Sequence, residues 1–208
     1  MVAVRAVAFV GVLCTLLACS SSSPSAGAGA DSAEAKPSFD QGAQLPQLAL
    51  EGYLDKNHDG ALTPDEYGSL RPSDVVKAYP AAELVLLHVA FEWCKYCWNE
   101  TDDQIAMVKQ YGGRFISLQV MVETREGNPG DRALLDSWIK VHKSALPTTL
   151  EPAHTLFDRF GKSATYLLLD AHDGMRVLAV GAGPPQFDVV RNEIAKRLGP
   201  LPGRTHAE

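Results

Sequence analysis

The chain has few basic residues, no long apolar run beyond its N-terminus, and little cysteine. Its 19 Lys and Arg stand against 25 Asp and Glu, a formal charge of -6 with no basic run. A phosphate backbone is held by a positive surface, so nucleic acid is excluded as the expected partner. Past the extreme N-terminus no apolar stretch nears the ~20 residues of a spanning helix. No internal repeat is visible. Cysteine occurs only at positions 14, 19, 94 and 97. Against these absences stand 208 residues, 46% of them hydrophobic, which suffice for one domain with a sizeable core plus appendages.

The N-terminus reads as an export signal. Arg5 is its only early charge, and Ala6 to Ala18 is an apolar run of signal-core length. The run closes on Leu16-Leu17-Ala18-Cys19, which resembles the bacterial lipobox. That resemblance implies cleavage before Cys19, a diacylglycerol on its thiol, and a lipid anchor in the bacterial cell envelope with the domain on the periplasmic side. From Ser20 to about Gln44 the chain is Ser, Ala, Gly and Pro with scattered charges and no apolar periodicity, as in a flexible tether. The expected organisation is a signal peptide over 1–18, a lipidated tether over 19–44 and one folded domain over 45–208. Cys14 leaves with the signal and Cys19 takes the lipid, so the domain keeps only Cys94 and Cys97.

Within the domain the elements alternate as in an α/β layer fold. Leu84 to Phe91 is nearly continuous apolar, as expected of a strand covered on both faces. A helix is predicted from about Cys94 to Tyr111, stopped by Gly112-Gly113, and a strand from Arg114 to Val122. Asp131 can cap a helix whose inward face is Leu134, Leu135, Trp138 and Val141 or His142. A short extended piece at Thr148 to Leu150 and a helix at His154 to Phe160 follow. Strands at Tyr166 to Leu169 and Met175 to Val180 and a last helix from Asp188 to Leu198 complete the order.

Trp93-Cys94-Lys95-Tyr96-Cys97 falls at the junction of the buried strand and the next helix. A thiolate is the attacking species in disulfide exchange, and a helix N-terminus stabilises it through unpaired N–H groups and the peptide dipoles. Cys94 is the expected nucleophile and Cys97, one turn further in, the resolving thiol. The spacing also admits a structural bridge or half a zinc site. Zinc would need two more ligands, and His88, His142, His154 and His172 are scattered. Trp93 and Tyr96 flank the nucleophile and are expected to shape an apolar rim that meets substrate.

The strand, the WCxxC and Glu100 three residues after Cys97 resemble the thioredoxin superfamily, and within it the membrane-anchored TlpA and ResA-like proteins. The resemblance implies a three-layer sandwich around a central mixed sheet with an N-terminal hairpin extension. It implies a monomeric thiol-disulfide oxidoreductase, needing no redox cofactor, that acts on thiols and disulfides of exported proteins together with a redox partner; by analogy it reduces them. Two positions depart from the family. Lys162-Ser163-Ala164-Thr165 stands where the family has a cis-proline, which puts substrate docking at Ser163 and Ala164 in doubt. A cis bond before a residue other than proline costs ~2.5–4 kcal/mol, so a differently shaped loop is expected. His88 stands six residues before Cys94, where thioredoxins bury an aspartate, and is either a proton acceptor or a core histidine. Glu92 is a second acid-base candidate, or a solvated rim charge.

A separate pattern spans Asp55 to Glu66 and matches an EF-hand calcium loop. Asp55, Asn57, Asp59 and Glu66 would coordinate Ca2+ directly, Ala61 through its carbonyl, and Thr63 itself or through water. Pro46 and Gly52 make the incoming segment a poor helix, and Asn-His-Asp-Gly equally suits a hairpin turn. The rival to an oxidoreductase is therefore a calcium-binding lipoprotein whose cysteine pair is only structural.

Overall fold

Two strands set the architecture because every residue in them is buried: β3 (Leu84–Phe91) and β4 (Phe115–Glu123). Such strands need cover on both faces, which the crossover helices supply. The computed structural model describes residues 38–183 and 186–200. The expected signal peptide, the lipidated Cys19 and the tether up to residue 37 lie outside the described residues. α2 (Lys95–Gln110) joins β3 to β4, and α3 (Arg132–His142) joins β4 to β5 (Thr148–Leu150), all three strands running parallel. α4 (Thr155–Phe160) then leads to β6 (Thr165–Asp170), which lies antiparallel on the other side of β3 and turns back into β7 (Arg176–Ala182). α5 (Gln186–Leu198) packs on β6 and β7. At the far edge, β1 (Leu50–Tyr53) and β2 (Tyr67–Leu70) form a hairpin whose first strand pairs with β5. The result is a seven-stranded mixed sheet in the order β2-β1-β5-β4-β3-β6-β7. This is the α/β fold with an N-terminal hairpin that the sequence led us to expect.

Helix ends follow their residues. The Asp131 carboxylate accepts from the Leu134 amide at 2.9 Å and starts α3. Gly112, at φ +60°, closes the turn after α2. On α3, Leu134, Leu135 and Trp138 face inward, and His142 rather than Val141 completes the face: Val141 is half exposed while the His142 ring packs against Trp98 and Trp138.

Two stretches differ from the sequence expectation. Residues 38–44, expected as tether, are docked: Phe39 is buried against Phe160, and Gly42 and Ala43 exchange backbone hydrogen bonds with Val177 at 2.8 Å. One aromatic in a polar, periodless run anchors them, and one residue leaves no periodic signal. A short helix α1 (Pro72–Ala78) also fills the connection to β3; Pro72 opens it, and Asp74 accepts from the Arg71 amide at 2.8 Å.

The hairpin is held close to β5 by the absence of one side chain. A Cβ on Gly52 would collide with the Thr148 carbonyl and the Thr149 Cα, both backbone atoms that cannot swing away. Gly52→Ala is expected to destabilise the domain by about 2–3 kcal/mol through this overpacking. The check is the midpoint of urea unfolding, and an unchanged midpoint would show that β1 is free to shift from β5.

Candidate active site

The cysteine pair sits where β3 gives way to α2. After Phe91 the chain turns, with the Cys94 amide donating to the Phe91 carbonyl at 3.1 Å, and Cys94 becomes the N-cap of α2. Its sulfur accepts from the Cys97 amide at 3.1 Å. This is the position at which the first amides of a helix and its dipole favour negative charge on sulfur. A disulfide joins the two residues, whose Cα atoms are 5.3 Å apart. Their exposures differ in the sense the chemistry needs: Cys94 is 8% exposed and Cys97 is 0% exposed. Only the first can meet a sulfur brought by another protein.

Around Cys94 the rim is aromatic and charged. Trp93 and Tyr96 are 41% and 56% exposed, the largest exposed aromatic surfaces among the described residues. The Trp93 indole N–H donates to Glu123 Oε2 at 3.2 Å, and Lys162 Nζ lies 3.2 Å from Glu123 Oε1. The buried Glu123 therefore ties the residue before Cys94 to the loop that leads into β6. That loop holds Ser163 and Ala164. Register places it: Val89 of β3 pairs with Thr165, so the loop lies level with the cysteine-bearing end of β3. Ala164 is buried and its carbonyl accepts from the Gly183 amide at 2.8 Å, while Ser163 is half-buried. Pro147, a possible substitute by sequence for the family's proline but one expected to lie away from the cysteines, precedes β5, two strands away from β3. Glu92 lines an open groove with Trp93, Lys95, Trp98 and Arg125, and its carboxylate accepts from the Arg125 amide at 2.8 Å. It is a rim residue engaged with backbone.

Beneath the pair lies a polar network that sequence reasoning largely missed. His88 Nδ1 is 2.9 Å from Gln119 Oε1 and 3.1 Å from Gln104 Nε2. Gln104 Oε1 accepts from Ser117 Oγ at 2.6 Å and from Gln119 Nε2 at 2.7 Å. Thr101 Oγ1, 3.4 Å from Gln119 Oε1, donates to the Cys97 carbonyl at 2.7 Å, beside the turn that carries Cys97. Burial pushes the His88 ring down to about 4, against a smaller upward pull from Gln119. Burial of this kind favours the neutral imidazole. Its hydrogen bonds to Gln104 and Gln119 are those of the core histidine that the sequence allowed beside a proton acceptor.

The His88 ring stacks on Tyr166 with centroids 4.9 Å apart. The Tyr166 hydroxyl donates to Glu100 Oε2. Burial raises the Glu100 carboxyl above its ordinary range, opposed by that hydrogen bond, and burial together with Glu100 raises the Tyr166 hydroxyl. Thr101, Gln104, Ser117, Gln119 and Tyr166 are the residues that sequence reading left out of the site. The available signal was polarity in a forbidden place: Ser117 and Gln119 interrupt one face of an apolar strand, and Thr101 and Gln104 follow Cys97 at helical spacing.

The calcium-loop residues lie elsewhere, at the tip of the β1–β2 hairpin. The flanking elements are a strand and a single 3-10 turn (Pro64–Glu66) running into β2, not the two helices of an EF-hand. Pairing of Gly52 with Thr149 accounts for this, since β1 is drawn onto the sheet. Gly60 donates to Asp55 Oδ2 at 3.1 Å, Asp59 to Asn57 Oδ1 at 3.0 Å, and Ala61 to Asp59 Oδ1 at 2.9 Å. Glu66 accepts from the Lys56 and Thr63 amides, each at 3.0 Å. Among the described residues no three His, Cys, Asp or Glu side chains converge on one metal position.

No protein-family model and no curated protein matches the chain. Solved structures do. One is described as a thiol:disulfide interchange protein DsbE from Chlorobium tepidum, 18% identical, TM-score 0.56, covering 78% of this chain and 100% of that one. Another is a thiol:disulfide interchange protein from a Bacteroides species, 16% identical, TM-score 0.52, covering 80% and 95%. The thioredoxin domain of a thiol-disulfide oxidoreductase from Bacteroides vulgatus is 16% identical, TM-score 0.51, covering 76% and 99%. At such identities the likeness is one of fold, and the fold is thioredoxin-like.

Proposed function

We propose that this chain is a thiol-disulfide oxidoreductase of the bacterial envelope, held to a membrane by lipid on Cys19 and acting on cysteines of exported proteins. The observation that carries the reading is the asymmetry of the pair: a surface-reaching sulfur at the N-cap of α2 and a fully buried one a turn later. The names of the structural neighbours support the same class of chemistry. Among the described residues no helix is long and apolar enough to cross a membrane, so attachment rests in this reading on the lipid.

In the reducing direction the Cys94 thiolate attacks one sulfur of a substrate disulfide. A Cys94–substrate disulfide forms, the substrate bond breaks, and the departing sulfur leaves as a thiolate that takes a proton. Cys97 then loses its proton to solvent or to that thiolate and attacks Cys94 Sγ. The products are a substrate dithiol and the Cys94–Cys97 disulfide, which a partner dithiol returns to the reduced state. Trp93 and Tyr96 offer apolar surface to the incoming chain, and the loop at Ser163 and Ala164 borders it. In place of a proline, the Lys162–Glu123–Trp93 tie holds this loop against the nucleophile.

The test is the reduction potential of the pair, measured by equilibration against thiol buffers and alkylation of free thiols. A value near about −270 mV supports the reductase and one near about −120 mV an oxidant of other proteins. A bridge below roughly −300 mV that also fails to exchange with protein disulfides overturns the reading and leaves a structural pair.

A further inference from the structure

The loop from Asp55 to Glu66 is untouched by the redox chemistry, and its charges are uncompensated. Asp55, Asp59, Asp65 and Glu66 fall within one turn, and none of them forms an ion pair among the described residues. A second observation points to what is missing. Asp55 is only 4% exposed, and its Oδ2 is held by the Gly60 amide, which turns the carboxylate across the loop. Its Oδ1 is buried with no hydrogen-bond partner among the described residues. A buried carboxylate oxygen left unmatched is costly, and a cation is the partner that also answers the surrounding charge. The Tyr79 hydroxyl donates to the Asp55 backbone carbonyl, not to its carboxylate, at 3.4 Å.

We propose that this hairpin tip is a Ca2+ site. Every donor is a hard oxygen: the carboxylates of Asp55, Asp59 and Glu66, the amide oxygen of Asn57, the carbonyl of Ala61 and the hydroxyl of Thr63. Their spacing is that of a twelve-residue calcium loop with glycine at its sixth position. Hydrogen bonds from loop amides already orient Asp55, Asn57 and Asp59. Closure requires Glu66 to rotate away from the Lys56 and Thr63 amides that now hold it and to take the ion with both oxygens. Six or more oxygens on a flexible turn suit Ca2+ and not Mg2+, which demands a small octahedron and keeps its water. The exchange of existing hydrogen bonds places the site in the weak, extracellular class, with Kd of about 0.1–1 mM. Because the loop joins β1 to β2 and β1 pairs with β5, the ion pins the hairpin to the sheet. The proposal is independent of the redox reading.

The experiment uses the mature chain in detergent, stripped with chelator and titrated with CaCl2 alone by calorimetry, with MgCl2 in parallel and melting followed at 10 mM of each. The expected result is one saturable Ca2+ site, a melting temperature several degrees higher in Ca2+, and little response to Mg2+. Asp55→Asn is expected to weaken binding at least tenfold. Asp59→Ala alters an exposed side chain, so it reports on the site even if Asp55→Asn fails to fold, and the same weakening is expected. Absence of saturable heat up to 10 mM Ca2+, equal responses to the two ions, or unchanged affinity in folded Asp59→Ala would each overturn the site. Disulfide exchange by both variants is expected to match the parent.

Discussion

Cys94→Ser is expected to lower disulfide exchange on the order of 10³-fold or more while leaving the domain folded. The two effects separate because the residue has two roles. As the proposed nucleophile, its sulfur is irreplaceable by a hydroxyl that stays protonated. As the N-cap of α2, its acceptor on the Cys97 amide is one that serine supplies as well or better. Closing so short a loop by a disulfide is worth roughly 2 kcal/mol in the chain-entropy view, which bounds the stability lost. Cys97→Ser has a different signature. Cys94 remains 8% exposed and able to attack, but nothing inside the domain can release the product. The expected outcome is a stable mixed disulfide with substrate, seen as a new band on a non-reducing gel and lost on reduction. Should Cys97→Ser accumulate no adduct while Cys94→Ser does, the roles are reversed. Should neither variant nor the parent exchange at all, with stability alone affected, the pair is structural.

How far the fold was legible follows from how its parts are stabilised. β3 declares itself because a strand buried on both faces admits almost no polar residue, and in β4 Phe115, Ile116, Leu118, Val120, Met121 and Val122 outweigh Ser117 and Gln119. α2 is marked at its start by the motif and at its end by Gly112 and Gly113. What stayed hidden depends on single contacts. Phe39 alone docks residues 38–44, and α1 buries little beyond Pro72 and Val75, so neither leaves a periodic trace. The hairpin could not be told from a helix-flanked calcium loop by its ligand spacing, since what decides it is Gly52 lying against the Thr148 and Thr149 backbone. The site divides in the same way. Cys94, Cys97, Trp93 and Tyr96 are adjacent in sequence and were read together. Gln104, Gln119 and Tyr166 come from three elements, and only the register that pairs His88 with Gln119 on one side and Tyr166 on the other assembles them. A lone polar residue in an apolar strand has a meaning only once its cross-strand neighbour is known.

The same register makes His88 the source of an acid sensitivity. Its ring is 0% exposed, and burial lowers it from 6.5 to about 4. The unfolded chain therefore binds this proton more readily than the folded one, so stability is intact above about pH 6.5 and falls as the pH drops towards 4. A shift of that size corresponds to about 3 kcal/mol at the acid end. Glu100 works in the opposite direction. Its raised carboxyl takes up a proton in the folded state first, so acidification through that range adds stability and offsets part of the loss. The lowered carboxyls of Glu66, Asp74, Glu83, Asp173 and Glu193 give up their contribution as the pH falls through and below the ordinary carboxylate range, mostly beneath the window from pH 6.5 to 4.5. Urea midpoints at pH 7, 5.5 and 4.5 are expected to fall for the parent. They are expected to fall less for His88→Gln, which keeps an amide within reach of Gln104 and Gln119, and more steeply for Glu100→Gln, which removes the offset. A parent midpoint that stays level, or an unchanged slope in His88→Gln, would mean that the ring takes its proton without disturbing the network beneath the cysteines.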